Sequence, residues 1–242
     1  MNRFYVPTNQ IKGDQVTIVG SDVNHIKNVL RLKTGDKFEV FDGSQKAYLC
    51  ELKEFNREYI LGKVISELKK DTEPKIKVTL AQCLLKGKKM DLVIQKAVEL
   101  GVYKIIPVVS ERSVPDIKEK EANKISHWQA IAKEAAEQSG RTLVPDISAL
   151  LSFEELLKLG KNFDLALIPW ELESKISLKD KLKEPRRLAA GLVAIGPEGG
   201  FSNEEISKAG SAGFQAVSLG RRILRAETAA ISTLANIYFF LD

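Results

Sequence analysis

At Pro74 the rhythm of this chain changes. Before it, Phe4–Val6, Val16–Val19, Lys37–Phe41, Ala47–Glu54 and Tyr59–Ile65 are short runs rich in β-branched and aromatic residues, parted by turn signals such as Asp42-Gly43. One stretch, from Asp22 to about Arg31 with Ser21 as its N-cap, predicts a short helix among them. Small strands around one helix predict a compact β-barrel over residues 1–70. The polar segment Lys69–Pro74 reads as a linker. After Pro74, strand candidates Lys77–Leu84, Val102–Val109, Asp164–Ile168, Leu192–Ile195 and Ala216–Leu219 alternate with helical patterns. One helix carries Met90, Ile94, Ala97 and Val98 on a single face and closes at Gly101. A second runs from about Glu119 to Gln138 and closes at Gly140. A third opens on the capping box Ser152-x-x-Glu155 and stops at Gly160, and an apolar helix, Ala226–Leu241, ends the chain. This alternation predicts a mostly parallel α/β sheet over 74–242.

Composition removes several function classes. No uncharged apolar run approaches the ~18–20 residues of a membrane span. The first residues, Met1 to Pro7, lack the apolar core and cleavage site of a secretory leader, so a cytoplasmic protein is expected. The chain has two cysteines and two histidines, all far apart in sequence, which gives neither a disulfide framework nor a zinc spacing. No G-x-S-x-G elbow is present, and no metal is expected. The net charge of +5 is compatible with an anionic partner, but its distribution says more. Residues 1–73 carry 12 basic and 11 acidic side chains, whereas Lys75, Lys77, Lys86, Lys88 and Lys89 occur without an intervening acid. Arg221, Arg222 and Arg225 form a second basic cluster. Either cluster alone is an ordinary solvated face; two beside one ligand site would favour phosphate contacts.

The densest signal runs from Leu192 to Glu205. A predicted strand enters Gly196-Pro197-Glu198-Gly199-Gly200-Phe201, and Ser202 then caps a helix with Glu205 at the capping-box position. Glycines here allow a sharp turn and let a ligand reach main-chain groups. Phosphate binding at the helix start is disfavoured. The loop lacks a Lys-Ser/Thr pair and a G-x-G-x-x-G spacing, and Glu198 would repel the ligand. The following strand candidate runs into Gly220-Arg221-Arg222-Ile223-Leu224-Arg225-Ala226-Glu227-Thr228. Successive parallel strands end on the same edge, so the two loops should face each other. Together they predict a pocket that takes a mostly uncharged heterocycle by backbone contacts, beside arginines that meet an anion.

These residues carry a resemblance. Ile195-Gly196-Pro197-Glu198-Gly199-Gly200-Phe201 with Leu219-Gly220-x-x-Ile223-Leu224-Arg225-x-Glu227-Thr228-Ala229 resembles the bacterial 16S ribosomal RNA uridine-N3 methyltransferase family of the SPOUT (trefoil-knot) class. Lys96-Ala97-x-Glu99-Leu100-Gly101-Val102, Ser110-Glu111-Arg112-Ser113 and the segment Glu134 to Arg141 are similar to further signatures of that family. So are Arg3-Phe4 and His25-x-x-x-Val29-Leu30-Arg31. The likeness spans essentially the whole chain. It implies an N-terminal PUA-like RNA-binding barrel over 1–70 and a knotted, parallel-sheet α/β methyltransferase domain over 74–242. It also implies S-adenosylmethionine as cofactor, a homodimer, and 16S rRNA, in an assembled small ribosomal subunit, as partner.

On that resemblance, Ile195, Gly196, Pro197, Gly199, Gly200, Leu219, Gly220, Ile223, Leu224 and Thr228 are expected to hold the cofactor. Arg3, Arg31, Arg112, Arg221 and Arg222 are expected to meet RNA. Uridine N3 carries a proton near neutral pH, so the chemistry needs a base or a group that stabilises the anion. Glu198 and Glu227 are the candidate bases and Arg225 the candidate stabiliser, although Glu227 could simply sit at a helix start and Arg225 pair with it. Alternatives are a sister enzyme acting on tRNA or ribose, or an RNA-binding module without catalysis.

Overall fold

The computed structural model describes residues 1–114, 120–184 and 188–241, so the expected helix start at Glu119 lies outside the described residues. The chain divides into two compact units: Met1–Glu73 with Ala136–Val144, and Pro74–Ala135 with Pro145–Asp242. Residues 136–144, expected in the second domain, therefore group with the first.

The first unit is an open six-stranded sheet in the order β1-β4-β5-β6-β3-β2. Its strands are β1 (Arg3–Tyr5), β2 (Ile11–Lys12), β3 (Gln15–Val19), β4 (Lys37–Phe41), β5 (Ala47–Phe55) and β6 (Tyr59–Leu68). All neighbours are antiparallel except β1 and β4. The sheet buries Phe4, Phe38, Val40, Leu52 and Ile60 on one side, together with Ile26. Register shifts between β5 and β6 at Leu49/Cys50 and Leu52/Glu54 add the local twist that curls such a sheet.

Helix α1 (Ser21–Asn24) departs from expectation. Gly20, at φ 74°, precedes it, and Ser21 is its first residue rather than a side-chain cap. The helix continues as one π-type turn, His25–Val29, and the chain leaves it through Arg31 at φ 53°.

Glu73 ties the returning segment to this unit. Its Oε2 accepts from Arg141 Nη2 at 2.6 Å and its Oε1 from the backbone N–H groups of Thr142 and Leu143 at 2.8 and 3.1 Å.

The second unit has a seven-stranded sheet. The main order is β10-β8-β7-β12-β11-β13, with β9 also on β8. Its elements run β7 (Lys77–Cys83), α2 (Lys89–Glu99), β8 (Lys104–Val109), α3 (Glu121–Ser139), β9 (Asp146–Ile147), β10 (Leu151–Ser152) and α4 (Phe153–Leu159). They continue with β11 (Leu165–Pro169), α5 (Leu178–Lys183), β12 (Ala190–Ile195), α6 (Asn203–Ser211), β13 (Gln215–Val217) and α7 (Ala226–Leu241). Every pairing is parallel. The near-continuous apolar runs of β7 and β12 follow from burial on both faces. On one face Phe153, Leu156, Phe201 and Phe214 pack over Val108, Ile168 and Ala194. Helices α2 and α7 pack together, and the Tyr238 hydroxyl donates to the Gly101 carbonyl at 2.8 Å. Two-residue β9 and β10 and six-residue α5 are too short to show a period, and the sequence pattern missed them.

Candidate functional site

Because β11, β12 and β13 are parallel neighbours, their carboxyl ends share one edge. That is where ligands bind in open α/β sheets. A cavity of about 470 Å3 opens there. Three segments build its wall: Pro169–Glu171 from the end of β11, Ile195–Phe201 from the end of β12, and Ser218–Ala226 after β13. Lys89 at the start of α2 and Ala229 of α7 complete it. The two loops expected to face each other do so, with a third between their strands.

The glycine loop is clamped from outside. Ser202 and Glu205 form the expected capping box, with the Glu205 N–H donating to Ser202 Oγ and the Ser202 N–H to Glu205 Oε2. Glu205 Oε1 also accepts from the Glu111 N–H at 2.9 Å, and Ser202 Oγ donates to Glu111 Oε2 at 2.7 Å. Arg112, expected on an RNA surface, donates from Nη1 to the Gly199 carbonyl at 2.9 Å. Its stem packs close to the loop, and a Cβ on residue 199 would stand 3.2 Å from Arg112 Cβ, a tight contact. Gly200, at φ 68°, has Glu171 against it, and a Cβ would meet Glu171 Oε1 at 2.6 Å. The loop is thus bonded by Arg112 on one side, with Glu171 beside Gly200 on the other.

The second loop is open along its backbone. Among the described residues, no other backbone group accepts from the N–H groups of Leu219 or of residues 221–224. Ile195, Leu219, Ile223, Leu224, Trp170 and Phe201 give the cavity apolar walls. The Trp170 indole N–H is buried without a hydrogen-bond partner.

The candidate bases fare differently from Arg225. Glu198 lines the cavity, but its Oε1 accepts from the Lys86 N–H at 3.1 Å and from Lys89 Nζ at 3.0 Å. Partial burial works to raise its pKa. The Lys89 ammonium and the N–H groups of Glu198 itself and Lys86 outweigh that and hold the carboxyl below the usual glutamate value. A carboxylate so stabilised is a weak base. Glu227 is not on the cavity wall. Its side chain is 13% exposed, with Oε2 buried, free of hydrogen bonds and 3.9 Å from Lys89 Nζ. Thr228 is exposed and off the wall as well, because helical spacing turns 225, 226 and 229 toward the cavity and 227 and 228 away. Neither Glu227 nor Thr228, expected at the site, lies on the cavity wall. Arg225 lines the cavity, is exposed, and among the described residues has no ion pair with Glu227 or any other acid. Arg221 and Arg222 are exposed on the same wall.

In the first unit, the structure corrects Arg3 and leaves Arg31 available. The Arg3 side chain is 8% exposed, with Nε 2.6 Å from Glu39 Oε1 and Nη1 donating to the Ala136 carbonyl. Its guanidinium lies 4.2 Å from the Phe41 ring centre. It is a packing and pairing residue, buried where an RNA phosphate cannot meet it. Arg31 is exposed.

Lys89, Trp170, Glu171, Phe201 and Ser218 were missed as lining residues. For Trp170 and Glu171 a signal existed, because they follow a predicted parallel strand on the ligand-binding edge. Among the described residues no three His, Cys, Asp or Glu side chains cluster as metal ligands. Burial pushes the Cys83 thiol up to about 12, against a weaker opposing bond from Ser110, so it holds its proton. No helix of the described residues is long and apolar enough to cross a membrane.

Comparison with known proteins agrees with this geometry. The family model described as RNA methyltransferase domain matches residues 72–238, and that described as RNA methyltransferase PUA domain matches 18–65. Ribosomal RNA small subunit methyltransferase E of Mesomycoplasma hyopneumoniae is 36% identical over 98% of both chains, and that of Bacillus subtilis 33% over 99% and 96%. The crystal structure of ribosomal RNA small subunit methyltransferase E from Neisseria gonorrhoeae, bound to S-adenosyl methionine, superposes with a TM-score of 0.89 at 36% identity, covering 98% and 96% of the two chains. A Legionella pneumophila putative methyltransferase with bound cofactor gives 0.87 at 33%, covering 97% and 96%. With a PUA-type curled sheet before a parallel α/β methyltransferase domain, the chain belongs to the RNA methyltransferase family.

Proposed function

We propose that this protein transfers a methyl group from S-adenosylmethionine to uridine N3 of 16S rRNA. The observation that carries this reading is the cavity at the ends of β11, β12 and β13, where unpaired backbone N–H groups, apolar walls and a free Arg225 converge. Its volume is ordinary for a small-molecule site. Ile195, Gly196, Pro197, Gly199, Gly200, Leu219, Gly220, Ile223 and Leu224 would hold the cofactor, which supplies an electrophilic methyl group on a sulfonium when bound.

Uridine N3 must lose its proton before its lone pair can take up a methyl group. With Glu198 neutralised by Lys89 and Glu227 off the wall, Arg225 is the group suited to this step. Its guanidinium stabilises negative charge on the uracil oxygens, lowers the pKa of N3 and lets the proton leave to solvent. Arg221 and Arg222 at the mouth, with Arg31 on the other unit, meet RNA phosphate.

The family likeness supports a threaded, knotted backbone and a homodimer acting on an assembled small subunit in the cytoplasm. Exposed Phe239, Phe240 and Leu92 on the paired helices α7 and α2 favour the dimer. Nucleoside mass spectrometry of 16S rRNA from a deletion strain, before and after incubation with the protein, tests the reaction. Restoration of N3-methyluridine is expected, and its absence overturns the reading. Light scattering tests the dimer.

A further inference from the structure

The ionisable side chains on the cavity wall are Lys89, Arg221, Arg222, Arg225, Glu171 and Glu198. Lys89 and Glu198 neutralise each other at 3.0 Å. What remains is three arginines and one carboxylate. Glu171 has no ion pair and no hydrogen bond among the described residues, so its charge is uncommitted. Its carboxylate lies beside the glycine loop, where a Cβ on Gly200 would stand 2.6 Å from Oε1.

We infer that Glu171 is a specificity-determining residue that makes the cavity prefer a cationic sulfonium ligand over the neutral thioether left after methyl loss. This rests on the reading that the cavity binds S-adenosylmethionine. The ammonium and carboxylate of its amino-acid end cancel, so the sulfonium leaves a net charge of +1, and the demethylated product has none. A cation entering beside three arginines is repelled, and an uncommitted carboxylate on the same wall offsets that repulsion. The product loses the attraction once the methyl group has gone, which favours its exchange for fresh cofactor. Glu171 acts on binding through its charge and takes no part in the methyl transfer.

Calorimetric titration of S-adenosylmethionine and S-adenosylhomocysteine into wild type, Glu171→Gln and Glu171→Asp separates the possibilities. Glutamine keeps the packing on Gly200 and removes the charge. It should weaken S-adenosylmethionine binding about tenfold at low salt while changing S-adenosylhomocysteine binding less than twofold. Aspartate should keep most of the preference, and added salt should shrink the wild-type difference. Equal weakening of both ligands by glutamine, or no change in either, overturns the inference while leaving the cavity assignment intact. Wild-type protein that binds neither ligand overturns the cavity assignment, and the inference with it.

Discussion

Arginine occurs at three chemically distinct positions around the cavity and the first unit, and each gives a different expected result. Arg225 is exposed, unpaired and on the wall. Lysine there keeps the charge but loses the planar fork. Arg225→Lys should lower single-turnover methylation of assembled subunits by about 10²–10³-fold, the scale of one oxyanion donor, with cofactor affinity and melting temperature little changed. A lysine variant that turns over normally removes the role. Arg112 instead acts through Gly199, whose carbonyl it holds at 2.9 Å. Arg112→Ala should weaken cofactor binding several-fold, the cost of about one charge-assisted hydrogen bond, and calorimetry without RNA reads this directly. Arg3 is buried with Glu39, and Lys70 lies 3.1 Å from the other carboxylate oxygen. Arg3→Ala should cost about 3 kcal/mol, the scale of breaking a buried pair, visible as early melting of the first unit.

At the scale of elements, the start of α6 ties the glycine loop after β12 to the segment after β8. Ser202 both caps the helix and donates to Glu111, whereas Ser152 caps α4 in an exposed box without such a third partner. Ser202→Ala should therefore destabilise by about 1–2 kcal/mol and Ser152→Ala by about 0.5–1 kcal/mol, compared in parallel thermal melts. The loop also carries a pH dependence. Glu198 has its folded pKa lowered, so its contribution is complete above the ordinary glutamate value and is lost as pH falls through the lowered one. Cofactor affinity should decline on acidification through that window, and Glu198→Gln should flatten the decline in a pH series of titrations.

For the whole molecule, RNA affinity should be an electrostatic sum over a few phosphates. Arg31 sits at φ 53°, a conformation asparagine tolerates, so Arg31→Asn removes charge without new strain. The slope of log affinity against log salt should become shallower by about 0.7–0.9 for each phosphate that the arginine neutralises, with cofactor affinity unchanged. An unchanged slope removes Arg31 from the RNA surface.

Much of this architecture was legible from local pattern. The change of rhythm at Pro74, the strand runs, both capping boxes and the two loops at one sheet edge all follow from period, caps and the parallel rule, which act over a few residues. The resemblance carried over residue types, but type does not tell where a side chain points. Arg3, Glu227 and Thr228 match the motifs in sequence, yet Arg3 is buried against Glu39 and Phe41, and helical phase turns the other two off the cavity wall. Conversely, Glu171, Lys89 and Arg112 join the site only because strands and helices distant in sequence end beside it. Tertiary structure also decided that residues 136–144 belong with the first unit, through Glu73 and its bonds to Arg141, Thr142 and Leu143. Pairings across that many residues depend on how the chain closes on itself, which no local period encodes.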